Sequence, residues 1–258
     1  LNMHASMSAN LISMMISSVR KIGFDKERSR DQQSLFCNEF IPAKKNQHVA
    51  DGMVDFVNYL TNDNSAPLWE PLNLSPEEDG IKSYINENKV TCVISPCSAA
   101  NQRYGEKQNR SWSIDNYIKI IKYLLLKNLQ VIVTGGLSHT EIKFSKRIEI
   151  EDFNDGFVNL IGKTSIREMA AIIKHSEFII SPDSGPAHIG TVMHKPVIGL
   201  HAMTNPNRSG AYNSKHWIVN EYPQAIQKFN TKKDRIAKWG EKVKDPKAMQ
   251  LIKVNDVI

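Results

Sequence analysis

The sequence has 258 residues, 41% of them hydrophobic and 23% charged, enough for one large or two modest domains with a buried core. That apolar content excludes intrinsic disorder, three cysteines exclude a disulfide scaffold, and no apolar run approaches the ~18 residues of a membrane span. The 33 Lys and Arg against 27 Asp and Glu leave a net charge of +6, which suits an anionic partner such as a nucleotide, a phosphorylated glycan or an anionic membrane surface.

The chain opens on Leu1, without the basic start and unbroken apolar middle of a signal peptide. With an odd cysteine count this fits a reducing compartment. The expectation is a cytosolic chain whose true start is missing.

Leu11, Met14, Met15 and Ser18 recur at helical spacing within residues 1–19. Lys21–Phe24 is short and apolar. The charged run Asp25–Asp31 is expected to be a solvated turn or helix face. Phe36–Ile41 predicts a short strand closed by Pro42, and Val49, Met53, Phe56, Val57 and Leu60 predict a helix over 48–60. Residues 61–76 carry Asn, Asp, Ser and three prolines, the chemistry of a linker. Ser75-Pro76-Glu77-Glu78 then opens a helix with Ser75 as its cap.

From Lys89 strands and helices alternate. Strands are predicted at 90–95, 130–134, 157–160, 177–181 and 196–200. Helices are predicted at 113–127, 140–150, 165–175 and 186–193, with Ser165 and Glu168 forming a reciprocal cap. Such alternation gives a parallel sheet covered on both faces. Ligands then bind beyond the carboxyl ends of the strands, which directs attention to the loops after Ser95, Thr134, Ser181 and Leu200. The domain boundaries expected are 1–74 for an N-terminal domain plus linker, 75–240 for a nucleotide-binding domain and 241–258 for a tail or helix.

The strongest local signal runs from Phe178 to Gly190. A strand reaches Asp183, the chain turns through Ser184 and Gly185, and a helix starts at Pro186. On helix grammar alone this is a well-made cap. The same geometry aims backbone N–H groups of Ser184 to His188 outward, where they and the helix dipole favour a diphosphate, and Gly185 removes the side chain that would block it. Asp183 can accept from sugar hydroxyls. His188 either donates to a phosphate oxygen or packs.

A second signal is Ser95-Pro-Cys-Ser98 followed by Arg103, Lys107, Arg110 and Trp112. Its cations can neutralise a departing diphosphate, or simply form a solvated basic loop; Trp112 reads as a packing anchor. The third, Thr134-Gly135-Gly136, is a tight turn against which a nucleoside can lie, or an ordinary strand-to-helix loop. No G-x-G-x-x-G or G-x-x-x-x-G-K-[ST] accompanies it. Cys92 and Cys97 lack a second ligand pair at zinc spacing and read as buried thiols. Neither H-E-x-x-H nor G-x-S-x-G is present, and no recognition motif for nucleic acid is found.

Taken in order, these segments resemble one family. Ser181-Pro-Asp-Ser-Gly-Pro-Ala-His188 with Lys195-Pro-Val-Ile-Gly-Leu200 is similar to the donor-site signature of the bacterial lipopolysaccharide heptosyltransferases, glycosyltransferase family 9. Val93–Ser98 with Arg110-Ser-Trp112, Asn116 and Tyr117 resembles its phosphate loop. Val131–Gly136, Leu160–Ser165 and Ile22–Arg28 resemble further pieces. The resemblance implies a glycosyltransferase B fold, α/β, with two Rossmann-like domains containing parallel sheets, the N-terminal one incomplete here. It implies inverting, metal-independent transfer of a sugar, heptose, from ADP-heptose to the inner core on lipid A. The partners implied are a nucleotide-sugar, that glycan acceptor and the cytoplasmic face of the membrane, with no cofactor.

Carried over by position, Arg110 and Asp183 are the catalytic pair. Ser98, Arg110, Gly135, Gly136, Asp183, Ser184, Gly185, Pro186 and His188 form the donor site, with Ser138 and Glu141 the nearest residues to the family's ribose contact. Ala99 stands where the family often has a second threonine. The family's N-terminal aspartate base has no counterpart, and a missing base typically costs ~10²–10⁴-fold. The chain is therefore expected to bind donor and transfer weakly; His4 is the one N-terminal titratable side chain available to substitute, and a packing or surface role is the favoured expectation for it. The alternatives are a non-catalytic nucleotide-sugar or phosphoglycan binding protein, and a nucleotide-sugar epimerase of the same fold.

Overall fold

The computed structural model describes residues 1–4, 6–98, 110–230 and 237–258. The chain divides into two compact units, Leu1–Leu68 and Trp69–Ile258.

The first unit contains helices α1 (Met7–Met15) and α2 (Val49–Thr61) and two parallel strands, β1 (Ile22–Gly23) and β2 (Glu39–Phe40). Ser6 caps α1 and the His48 ring caps α2 by accepting from Ala50 N–H at 3.1 Å. Asn62, in the left-handed region at φ 55°, ends α2. Ile22, Ile41 and Phe56 form the small core, with Phe24 edge-on to Phe56. On α1 the apolar stripe through Leu11, Met14 and Met15 is exposed, and the buried residue is Asn10, tied to Asn2 and to the Asp31 carbonyl. His4 is exposed and bonded to Ser6.

The expected solvated turn at Asp25–Asp31 forms, with Lys26, Glu27, Arg30 and Asp31 exposed, but its first residue turns inward. Asp25 and Asp55 are both buried. Arg28 lies between them, bonding Asp25 through Nε, Asp55 at 3.1 Å and Gln47 at 2.7 Å through Nη1, and the Pro42 carbonyl through Nη2. Lys44 Nζ completes the cluster 2.7 Å from Asp55. Charge density in sequence signalled solvent; here opposite charges compensate one another inside the unit.

In the second unit six strands form one parallel sheet: β3 (Thr91–Ile94), β4 (Gln130–Gly135), β5 (Phe157–Ile161), β6 (Phe178–Pro182), β7 (Val197–His201) and β8 (Ile218–Asn220). Their spatial order is β5-β4-β3-β6-β7-β8. The chain thus starts in the middle, builds outward to β5, and returns across β3 to build the other half. The three central strands carry Cys92, Val93, Ile94, Val131, Ile132, Val133, Ile179 and Ile180, all fully buried, as a parallel sheet covered on both faces demands. The bulky, mostly β-branched side chains suit the pleat.

Each face has its own core. Helices α3 (Ser75–Ile81), α6 (Ile166–Lys174) and α7 (Gly185–Val192) cover one side around Ile132, Leu160, Ile172 and Ile179. Helices α4 (Ile114–Leu126), α5 (His139–Ile148) and α9 (Tyr222–Phe229) cover the other around Tyr117, Ile121, Val131 and Ile148. A short turn of helix, α8 (Pro206–Ser209), lies between β7 and β8. Leu74, not Ser75, is the cap of α3; Ser75 lies inside the helix and hydrogen-bonds Asn73. The α3 acids pair with α6, Glu77 with Arg167 and Glu78 with Lys174 at 2.6 Å.

The segment 241–258 is not a tail. It forms two 3-10 turns, the first placing Ala248 and Met249 in the core, and the residues flanking that turn, Val243 and Ile252, are buried with them. The indole of Trp112, expected as an anchor, is buried and donates to the Ile252 carbonyl at 3.0 Å. All three cysteines are buried free thiols, and burial pushes Cys97 up to about 12. Among the described residues no helix is long and apolar enough to cross a membrane.

Candidate functional site: the corner after strand β6

The strand order reverses between β3 and β6, since β4 lies on one side of β3 and β6 on the other. Loops leaving neighbouring strands at such a point diverge to opposite faces and open a crevice at the carboxyl edge. Here those loops are Ser95–Ser98 and Asp183–Ser184, the two segments singled out from sequence.

α7 begins at Gly185 with Pro186 in its first turn. Its cap residue Ser184 makes no side-chain cap bond; its hydroxyl turns back to Ser181 Oγ at 2.9 Å. Among the described residues, a methyl built on Gly185 would meet nothing within 4 Å. Nothing among them stands over that glycine, which leaves the backbone of the first turn available to an anion. His188 is exposed one turn on, which disposes of the packing alternative. Pro186 has no N–H; its part is to fix the start of the helix.

Beside this corner Arg110 Nη1 lies 2.5 Å from Asp183 Oδ2. Asp183 is buried and Arg110 retains a quarter of its side-chain exposure (23%). Ser209 on α8 adds a hydroxyl 3.4 Å from the same oxygen. Burial by itself works against the charged carboxylate. His201, Arg110, Thr204 and His188 outweigh it, and Asp183 is held below its ordinary value. The site thus offers a carboxylate, a guanidinium and an open helix end within one corner.

The structure brings Ser98 close as well. It is buried, and its N–H donates to Ser111 Oγ at 3.2 Å. Arg103, Lys107 and Ala99 lie outside the described residues. Gly135 and Gly136 end β4 as read, but their turn is not bare backbone. Glu141 fills it: its Oε1 accepts from Gly136 N–H at 2.7 Å and its Oε2 from Ser138 N–H at 3.0 Å. Ser138 returns a bond to Glu141 N–H, so the two form a reciprocal cap on α5. The spacing Ser-x-x-Glu was visible in the sequence as the signal for that cap.

Two contributors were missed by sequence reasoning, His201 and Thr204. His201 ends β7, Thr204 lies in the loop after it, and both are buried. Their only signal was position, in the loop after Leu200 at the carboxyl edge.

Fold and corner together define a doubly wound α/β protein whose ligand crevice suits a phosphorylated compound. Comparison with known proteins narrows this. The family model for glycosyltransferase family 9 (heptosyltransferase) matches residues 1–239. The lipopolysaccharide core heptosyltransferase OpsX of Haemophilus influenzae is 33% identical over 262 residues, spanning 100% of this chain and 72% of that protein. Among solved structures, a family 9 glycosyl transferase from Veillonella parvula superposes with a TM-score of 0.69 at 17% identity, covering 100% of this chain and 70% of that one. The ADP-heptose lps heptosyltransferase II of E. coli gives 0.66 at 15%, covering 98% and 72%. The chain belongs to glycosyltransferase family 9, the heptosyltransferases, and is a glycosyltransferase by that membership.

Proposed function

We propose that this chain binds ADP-heptose at the corner after β6 and transfers its heptose to the lipopolysaccharide core. The observation that carries the reading is the open first turn of α7 at Gly185, flanked by the Arg110–Asp183 pair at the reversal of strand order. A diphosphate on the α7 N-terminus accepts backbone hydrogen bonds, and Arg110 adds a fixed positive charge where negative charge develops as the glycosidic bond breaks. That charge lets the nucleotide leave without a divalent ion. Asp183, kept ionised, accepts from hydroxyls of the sugar and orients the anomeric carbon for attack from the opposite face, which inverts its configuration. Ser98 sits beside the same diphosphate.

The donor and the core acceptor are supported by two of the relatives, an ADP-heptose transferase and a lipopolysaccharide core transferase. An acceptor carried on lipid A places the reaction at the cytoplasmic face of a membrane. Calorimetric titration with ADP, ADP-heptose and UDP-sugars tests the donor. Release of ADP on adding core acceptor, with and without a chelator, tests transfer and metal independence. Tight donor binding without ADP release would reduce the chain to a nucleotide-sugar binding protein, and preference for UDP-sugars would remove the donor assignment.

A further inference from the structure

The chain beyond β3 stays attached to the sheet. The Ser95 N–H still donates to the Ile180 carbonyl of β6 at 3.0 Å, and Pro96, Cys97 and Ser98 are all buried. Thirteen positions after Ser98 the chain returns to the same place, where Ser111 Oγ accepts from the Ser98 N–H at 3.2 Å. The next residue is fixed as well. Trp112 is buried, its indole N–H donates to the Ile252 carbonyl at 3.0 Å, and its ring stands edge-on to Tyr117 at 5.2 Å. Ser111 is therefore held from two sides, by its hydrogen bond to the end of β3 and by its peptide link to a core anchor.

Arg110 is the residue joined to Ser111 on the other side, and its Nη1 reaches Asp183 Oδ2 at 2.5 Å. A guanidinium sits at the end of a long, flexible side chain. It meets an anion productively when the backbone that carries it is already in place, because less freedom is then lost on binding. Trp112 alone lies two residues from Arg110. The Ser98–Ser111 bond brings a fixed point to the adjacent residue, and ties it to the very strand end that borders the reversal of strand order.

We propose that Ser111 is a positioning residue for the donor site: by holding the Ser98 N–H, its hydroxyl fixes the backbone at Arg110 and keeps the guanidinium beside Asp183 and the donor diphosphate. Ser111 acts through Arg110 and not on the donor itself. The proposal rests on the donor reading given above, and its test separates the two.

The same hydroxyl also gives a buried N–H its partner, a service to stability alone, so affinity and melting must be read together. Ser111→Ala removes the acceptor and Ser111→Thr keeps it. Ser111→Cys keeps the size with a weaker acceptor, and carries the test if the alanine variant does not fold. Calorimetric titration well below the melting temperature should show S111A binding ADP and ADP-heptose ~10-fold more weakly, since both carry the diphosphate that Arg110 addresses. S111T should stay within about threefold of the parent, and S111C should fall between. In an Arg110→Ala background, S111A should add less than about twofold, because the two substitutions remove one effect. A lowered melt with unchanged affinities, or a full further loss on top of R110A, overturns the proposal and leaves the donor reading standing. A wild-type chain that binds neither ligand defeats the donor reading instead. Whether Ser111 holds Arg110 is then decided on the free chain by ¹³C NMR titration of the Asp183 carboxyl. A midpoint raised in S111A and restored in S111T supports it, and an unmoved midpoint overturns it.

Discussion

Arg110 and Asp183 stand 73 positions apart in the chain and 2.5 Å apart at the carboxyl edge of the sheet. They belong to the loops that leave the sheet at its reversal point, so the fold itself brings them together. Either residue alone would be a poor site. Paired, they set an ionised carboxylate beside a guanidinium where a nucleotide-sugar needs one cation and one hydrogen-bond acceptor.

Removal of either partner should weaken donor binding in different ways. Arg110→Ala takes a cation from the diphosphate and should weaken both ADP and ADP-heptose by ~10–100-fold, the range for hydrogen bonds to charged groups. Asp183→Ala should weaken ADP-heptose more than ADP. Titration calorimetry on the two variants checks the contrast, and equal losses for both ligands in both variants would contradict the assigned geometry.

Gly185→Ala separates folding from binding. The added methyl meets no atom of the described residues, and alanine in a helix is favoured over glycine by roughly 0.5–1 kcal/mol. The variant should therefore melt no lower than the parent. Its methyl occupies the approach to the backbone, and nucleotide affinity should fall ~10-fold, the scale of one lost charged hydrogen bond. Thermal melts beside ADP titrations read both quantities; unaltered affinity would mean the anion does not approach this turn.

Ser138→Ala should act on stability. It removes one half of the reciprocal cap that Glu141 completes, at a cost of ~1 kcal/mol, or about 2–4 °C in melting temperature for a domain of this size. ADP affinity should change by less than about threefold, because the cap and not the ligand engages these side chains. A large loss of affinity with an unchanged melt would restore Ser138 to the nucleotide.

The first unit should be acid-sensitive through Asp55. Burial pushes its carboxyl up, but hydrogen bonds from Lys44, Gln47 and Arg28 outweigh this and hold it below 3.8. A carboxylate depressed on folding stabilises fully above its unfolded value and loses that contribution as pH falls through the folded one. Stability should thus decline below about pH 4. Arg28→Ala, which leaves Asp25 and Asp55 without their shared cation, should cost ~3 kcal/mol at neutral pH and flatten that acid limb. Denaturant melts at pH 7 and pH 3 measure both effects.

Much of the second unit was legible in sequence. The strands predicted at 90–95, 130–134 and 177–181 as apolar runs formed at 91–94, 130–135 and 178–182. The cap of α6 by Ser165 and Glu168 formed as its spacing implied. β8 was not legible, being three half-exposed residues, nor was the burial of 241–258, whose apolar residues follow neither period. In the first unit, charge density alone misplaced Asp25, since only the position of Arg28 shows that its charge is matched.

Within the site, the sequence could show that Asp183, Ser184 and Gly185 end a strand and start a helix, because such grammar is written between residues that touch along the chain. Composition and order alone therefore determined an α/β protein and the strand-to-helix turns at which a ligand is expected. The tertiary structure decided the strand order, the Arg110–Asp183 pair and the burial of His201. Those depend on which distant segments become neighbours, and that is settled by packing the two faces of the sheet as a whole.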